Sequence, residues 1–254
     1  MSNLGPKSLS EYVLNQSHNK ANKKFLKLAF QGLLAGMYIA IGAIAYLKLV
    51  AATADPGLGE FLGALVFPVG IVAVLLMQAE LFTSDTMIMI SVYTKQIKFT
   101  KILRILITVL LTNLIGGMII AWLTHSSGIF NETVMALVSQ KAIHKVNLPI
   151  GKLFFSAILC NIVVSTGVCL AYSCSDTISK IISVWLAITA FVLTGTEHVV
   201  ANVYYLFIAF FGGADISLLD IAYNLSVAAI GNFIGGGIVV SGINYLVAFR
   251  YDDL

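Results

Sequence analysis

A glutamate followed directly by a histidine, Glu197-His198, interrupts an otherwise apolar stretch that runs from 181 to 214. An ionisable group in such a place costs about 3 kcal/mol on membrane-insertion scales, which marks it as functional by default. His198 is the sole histidine inside any apolar stretch, since His18, His125 and His144 fall in a polar tail, at a stretch end and in a loop. Its imidazole can take up and give back a proton near neutral pH. Glu197 can fix the ring's orientation or accept from backbone N–H groups freed by the interruption. Glu80 interrupts a second apolar stretch, where it is expected to satisfy loose backbone donors, and Thr83 follows it. The Thr83 hydroxyl is donor and acceptor at once: it can cap a helix starting near Ser84, face His198, or do both. Asn161 and Asn232 sit in the middle of apolar stretches, and Asn113 is a weaker companion. Such amides either donate to an anion's oxygens without adding a permanent charge or hold neighbouring helices together, worth around 1 kcal/mol in a membrane. Lys145 stands just before an apolar stretch, where it can attract an anion or touch a lipid headgroup. The combination suits binding of a small anion and handling of its proton. It does not suit an enzyme: no nucleophile–base pair or metal-ligand spacing is present, and no cofactor or metal is expected. Cys160, Cys169 and Cys174, an odd number within one apolar segment, are expected to be free thiols.

The elements that position these residues follow from composition. Of 254 residues, 59% are hydrophobic and 11% charged, against roughly a quarter charged in a soluble domain. The mean hydropathy is +0.94. An all-α integral membrane protein is implied, and a soluble enzyme, a disulfide scaffold, a coiled coil and a disordered chain are excluded. A net charge of +3 leaves no footprint for nucleic acid. Spanning helices need about 20 apolar residues. They are expected at 28–47, at 61–79 with a fragment at 86–94, at 105–131, at 153–175, at 181–196 with a continuation at 199–214, and at 221–249. That makes six spans, with the second and fifth broken. A tail of residues 1–27 precedes the channel-like body of 28–250, and 251–254 follow it. In the tail, Ser8-x-x-Glu11 reads as a capping box for a short helix with Leu9, Tyr12 and Val13 on one face, lying on the membrane surface, or else as a plain solvated segment. No removable signal peptide is expected. With both termini inside, eleven Lys and Arg fall on the inner side, against Lys48, Lys141, Lys145 and Lys152 outside, so both termini are expected in the cytoplasm. The aromatic run of Tyr204, Tyr205, Phe207, Phe210 and Phe211 reads as an interfacial belt, as do Trp122 and Trp185.

The two halves echo each other. Leu34-Ala35-Gly36 with Gly42 returns as Leu159-Cys160-Asn161 with Gly167, an offset of 125. Ala79-Glu80-Leu81-Phe82-Thr83 returns as Thr196-Glu197-His198-Val199-Val200, offset 117, and Asn113-Leu114-Ile115-Gly116-Gly117 as Asn232-Phe233-Ile234-Gly235-Gly236, offset 119. The repeats are therefore 28–131 and 149–250, each of three spans, and an odd number of spans forces the second to insert inverted. Inverted repeats with a broken helix in each half place a site near the midplane. Broken backbone is tolerated at that depth only inside protein or beside a watery path.

Three segments, Ala79-Glu80-Leu81-Phe82-Thr83-Ser84, Gly195-Thr196-Glu197-His198-Val199-Val200-Ala201-Asn202 and Gly231-Asn232-Phe233-Ile234-Gly235-Gly236-Gly237, together with Lys145 sixteen residues before Asn161, resemble the formate–nitrite transporter family, which includes bacterial formate, nitrite and hydrosulfide channels. The resemblance implies an aquaporin-like protomer with its own pore, a homopentamer, and a bacterial inner-membrane location. It implies a central filter of His198 with Thr83 opposite, pore-lining amides Asn161 and Asn232, and Lys145 as outer attractor. It also implies two apolar constrictions from Leu81, Ile71 and Phe67 in one half and Val164 and Phe191 in the other. Thr196 departs from the pattern, because formate channels usually carry an aromatic there; formate, nitrite and hydrosulfide all stay open as solutes. A neutral weak acid crosses an apolar ring far more cheaply than its anion, so protonation couples passage to pH. Channel flow and proton symport differ only in where that proton goes. A pore for neutral solutes is the remaining alternative, although the paired Asn-Pro-Ala breaks of aquaporins are absent and the four prolines lie elsewhere.

Overall fold

From Leu28 to Leu47 no charged residue occurs, and 20 such residues make a helix about 30 Å long. In the computed structural model, which describes residues 5–251, that stretch lies inside helix α2, Phe25–Ala52, preceded by α1, Pro6–Ala21. The second crossing is α3, Pro56–Val66, continued past Pro68 by α4, Val69–Leu76. After a break come α5, Phe82–Asp85, a 3₁₀ turn at Thr86–Met89 and α6, Ile90–Tyr93. Then follow α7, Phe99–Ser126, the amphipathic connector α8, Glu132–Val146, and α9, Ile150–Ser173. The fifth crossing is α10, Thr177–Thr194, with α11, Val199–Phe211, after its break. The last is α12, Leu218–Phe233, a π-helical stretch Ile234–Val240, α13, Ser241–Tyr245, and a π turn Leu246–Arg250. No strand occurs among the described residues, and six helices are long and apolar enough to cross a membrane. Of the tail, residues 1–4 lie outside the described residues, as do 252–254 of the closing segment 251–254.

The outer faces of these helices carry Phe30, Ile41, Ile107, Leu111, Ile115, Phe155 and Leu159, all exposed. At about 25 cal/mol per Å² such a girdle would be strongly unfavourable in water, whereas lipid tails accept it. The core behind it is built on close backbone contact. A methyl group at Gly116 of α7 would run into the Leu33 carbonyl of α2, and one at Gly235 would run into the Ile158 carbonyl of α9. The two contacts are the same contact in the two repeats, 119 and 125 residues apart.

Both breaks are made by a left-handed residue. Gln78 (φ 53°) follows α4 and Gly195 (φ 63°) follows α10, 117 positions later. Glycine adopts this conformation freely, whereas a glutamine bears about 1–2 kcal/mol. Gln31 offsets that by donating to the Gln78 carbonyl at 2.7 Å and by accepting, at its own carbonyl, from the Glu80 N–H at 3.1 Å.

Two sequence expectations change here. Helix α1 opens at Pro6 after Gly5 rather than at a Ser8 capping box. Proline suits a first turn, where its missing N–H has no partner to lose. Its buried face is Ser10, Val13, Leu14 and Ser17. Val13 and Leu14 pack on Met87, Ile90 and Val168, so α1 docks on the protein body instead of resting on a lipid surface. The tyrosines of the α11 aromatic run are not an interfacial belt: Tyr204 is 0% and Tyr205 7% exposed, because this part of α11 is enclosed by α7, α8 and α12, while Phe207, Phe210 and Phe211 are half-buried. The three cysteines are free.

Candidate functional site between the two helix breaks

The N-termini of α5 and α11 meet in the interior. There Thr83 Oγ1 lies 3.0 Å from His198 Nε2, and both residues are buried. His198 is the N-cap of α11, and its Nδ1 accepts the Ala201 N–H at 3.1 Å. A helix start leaves such donors unpaired, and a side-chain acceptor at the cap satisfies one of them. With Nδ1 accepting, the ring's proton sits on Nε2, which then donates to Thr83 Oγ1 and leaves the Thr83 hydroxyl hydrogen for a further acceptor. The ring is held sideways by Phe191, whose centroid is 5.6 Å away.

The backbone on either side is clamped by Asn113 and Asn232. Asn113 Oδ1 accepts from Phe82 N at 2.8 Å, and its Nδ2 donates to Gly32 O and Glu80 O at 2.7 and 2.8 Å. Asn232 Oδ1 accepts from Val199 N at 2.9 Å, and its Nδ2 donates to Ala157 O and Glu197 O at 2.7 and 3.0 Å. Asn161 gives its Nδ2 to Asn232 O at 2.6 Å and to Thr83 O and Thr86 Oγ1, each at 3.1 Å. Gly236, in the π-helical stretch, leaves room for this cluster, since a methyl there would meet Thr86, Asn161 and Ser165. The amides of Asn161 and Asn232, expected to face a solute, are engaged with protein groups; holding helices together is what these contacts do.

Two cavities approach this centre from opposite ends of the 28-residue α2, which is about 42 Å long. One, of about 750 Å³, opens beside α8 and is lined by Tyr46, Phe67, Lys145, Phe191, Glu197 and His198 among others. The other, of about 510 Å³, opens beside α1 and includes Lys20, Lys23, Glu80, Asp85 and Tyr172. Phe67 and Phe191, centroids 6.3 Å apart, form part of the floor of the α8-side cavity. Ile71, Leu81 and Val164 are buried in the core and line neither cavity.

Each cavity holds a lysine on the glutamate of a break. Lys145 Nζ donates to Glu197 Oε1 at 2.8 Å, and Asn202 Nδ2 donates to Oε2 at 2.6 Å. Glu197 therefore neither orients the imidazole nor takes the loose backbone donors. On the other side Lys20 and Lys23 both bond Glu80, and Lys20 reaches Asp85 Oδ1 at 2.7 Å. Glu80 thus binds α1 rather than its own loop, whose donors go to Asn113 and Gln31. Burial alone would lower the Lys20 ammonium's proton affinity, but Asp85 and Glu80 outweigh it and hold it above the ordinary lysine range. Sequence reasoning missed Lys20, Asp85 and Asn202, yet the repeat offsets point to them. Lys145 less 125 is Lys20, and Asn202 less 117 is Asp85. Among the described residues no group of His, Cys, Asp and Glu is placed to hold a metal ion.

Residues 7–246 match the formate/nitrite transporter family. The chain is 29% identical to the formate channel BtFdhC of Bacillus thuringiensis, over 96% of this chain and 95% of that one. It is 30% identical to the formate channel FocA of Haemophilus influenzae, over 93% and 92%. A solved FNT family ion channel matches it with a TM-score of 0.87 at 26% identity, covering 94% of this chain and 98% of the other. A pentameric formate channel with formate bound matches in fold, with a TM-score of 0.77 at 24% identity over 88% and 97%. With two broken helices meeting at a buried histidine, six membrane-competent spans and a family match from residue 7 to residue 246, the chain is a multi-pass membrane protein that belongs to the formate/nitrite transporter family.

Proposed function

We propose that each protomer passes a small monovalent anion of a weak acid, formate, nitrite or hydrosulfide, between the two cavities. The observation that carries this reading is the Thr83–His198 contact, set between the cavities where the two helix breaks meet. Lys145 on one side and Lys20 with Lys23 on the other draw the anion into the vestibules. Each lysine is already paired with a carboxylate, so the vestibules are polar without trapping the solute. Phe67, Phe191, Ile71, Leu81 and Val164 make the apolar barrier that strips water. A bare anion meets a desolvation cost there that its neutral acid avoids. The Thr83 hydroxyl and the imidazole are the polar groups waiting at the centre. A proton gained by Nδ1 of His198 turns an acceptor into a donor and sets it against the Ala201 N–H, so the ring's charge state and the start of α11 are linked. Passage therefore depends on pH through His198.

The named relatives that are formate channels support the substrate class, and the pentameric neighbour supports a homopentamer in a lipid bilayer. The α1 side, rich in lysine, is assigned to the cytoplasm of a bacterial inner membrane, with both termini there. Thr196, where formate channels usually carry an aromatic, lines the α8-side cavity, which keeps nitrite and hydrosulfide beside formate. The test is stopped-flow flux of the three anions in one proteoliposome preparation across pH 5–8. Saturable, pH-dependent flux of at least one is expected, and flux no faster than in protein-free vesicles for all three overturns the reading.

A further inference from the structure

The α8-side cavity holds two carboxylate grips in tandem, one turn of α8 apart. In the deeper one, Lys145 and Asn202 each take one oxygen of Glu197, whose side chain is 3% exposed. In the upper one, Lys141 donates to Glu60 Oε1 at 2.9 Å and the Tyr46 hydroxyl donates to Glu60 Oε2. Lys141 also donates to the Tyr46 oxygen at 2.8 Å and lies over the Tyr46 ring, 5.1 Å from its centroid. The closed set gives each carboxylate oxygen its own donor. All three residues line the cavity that ends at His198.

The donors are fixed and the carboxylate is not. Tyr46 is 5% exposed, its ring set edge-on against Phe67 and Tyr205 at centroid distances of 6.4 and 6.2 Å. The Glu60 side chain is 43% exposed and Lys141 26%. An ion pair this open adds little, so a competing anion displaces Glu60 at small cost. A buried pair like Lys145–Glu197 does not yield in that way.

We infer that Tyr46 and Lys141 form an outer docking station for a monoanion with two oxygens on one centre, a small carboxylate or nitrite, which Glu60 occupies as a tethered stand-in until the solute replaces it. The inference rests on the anion-transport reading above. A tethered group acts at an effective concentration in the millimolar range or higher, so Glu60 sets the concentration at which solute begins to load from this side. From the station, Tyr46 meets Phe67, Phe67 meets Phe191, and Phe191 meets His198, which leads from the mouth to the centre.

The experiment is the concentration dependence of formate flux into proteoliposomes for the wild type, Glu60→Gln, Glu60→Ser, Glu60→Gln/Lys141→Gln and Glu60→Gln/Tyr46→Phe, with iodide flux measured alongside. Either single variant is expected to lower the half-saturating formate concentration about fivefold, the effect of about 1 kcal/mol. Each double variant is expected to lose that gain, and iodide, a single atom with no oxygens to offer the two donors separately, to be unaffected. Unchanged half-saturation in both single variants, with wild-type flux intact, overturns the station alone. An equal gain for iodide reduces it to a plain charge effect and also overturns it. Absence of wild-type flux for formate, nitrite and hydrosulfide alike would instead strike the parent reading, whereas wild-type hydrosulfide flux without formate or nitrite flux overturns the station alone.

Discussion

Asn113 and Asn232 make the same three hydrogen bonds in opposite halves of the chain: each accepts one N–H at the start of a half-helix and donates to two carbonyls, one on a facing helix and one in the break itself. Backbone freed by a break has no water to turn to at membrane depth, so the amide takes over its bonding. The partners obey the repeat offsets, Phe82 with Val199, Glu80 with Glu197 and Gly32 with Ala157. A duplicated three-helix unit is thereby visible at the level of single hydrogen bonds.

Replacing either clamp by alanine leaves one N–H and the carbonyl in the break unpaired in the interior, at about 1–3 kcal/mol for each group left unsatisfied. The carbonyl on the facing helix keeps its bond to the N–H four residues on. Asn113→Ala and Asn232→Ala are both expected to lower unfolding free energy in detergent by about 2–6 kcal/mol. A matched loss in the two halves is the expected result of thermal or denaturant melts. Normal melting with abolished flux in Asn232→Ala alone would make that amide a solute ligand instead of a clamp.

His198 has two jobs that substitutions separate. Asparagine is a good N-cap and phenylalanine is not, a difference of about 1 kcal/mol. His198→Asn is expected to melt close to the wild type, and His198→Phe lower by that amount. Both remove the imidazole, so both are expected to change the pH dependence of flux. An unaltered pH profile in His198→Asn would confine the ring to capping.

The charged latch between α1 and the breaks gives a third test. Lys20 and Lys23 are the partners of Glu80, and Lys20 of Asp85. Removing one member of a buried pair costs about 3–5 kcal/mol, because the other charge is left behind. Lys20→Gln/Lys23→Gln is therefore expected to free α1, seen as protease cleavage between residues 5 and 24 that the wild type resists. The pH response has a definite sign for Lys20. Its proton affinity is raised on folding, so its contribution is complete below the ordinary lysine value near 10.5 and is lost only as pH climbs through the higher folded value. Raising the pH from 7 to 9 should therefore leave α1 protected, and release within that range would contradict the latch.

Spans, breaks and the duplicated unit were legible because each is a property of chain order: uncharged runs set helix length, and motif offsets set the repeat. His198 with Thr83 was legible for the same reason, being the polar residues at the two breaks. What each polar side chain touches was not legible. Glu197 looked like a partner for its neighbour His198, yet at a helix cap successive side chains diverge, and Glu197 turns to Lys145, 52 residues away. Asn161 and Asn232 looked free because their sequence neighbours are apolar, while their acceptors are carbonyls, which every residue type supplies. Tyr204 and Tyr205 looked like a membrane belt because composition does not reveal that α11 lies inside the other helices.

The Thr83 hydroxyl separates a solute-binding centre from a packed one. With Nδ1 of His198 spent on Ala201, Nε2 carries the ring proton and Thr83 Oγ1 receives it at 3.0 Å. The hydroxyl's own hydrogen then points to a third group, and in an anion path that group is the solute. Thr83→Val keeps the shape and removes both roles, whereas Thr83→Ser keeps the hydroxyl. One hydrogen bond to a charged group is worth about 1.5–3 kcal/mol, so valine is expected to cut flux of the transported anion at least tenfold and serine to retain most of it. Valine also leaves Nε2–H without its partner, which lowers the melting point. Serine therefore provides the decisive comparison: wild-type melting in Thr83→Ser together with flux as poor as in Thr83→Val would show that the hydroxyl does not meet the anion.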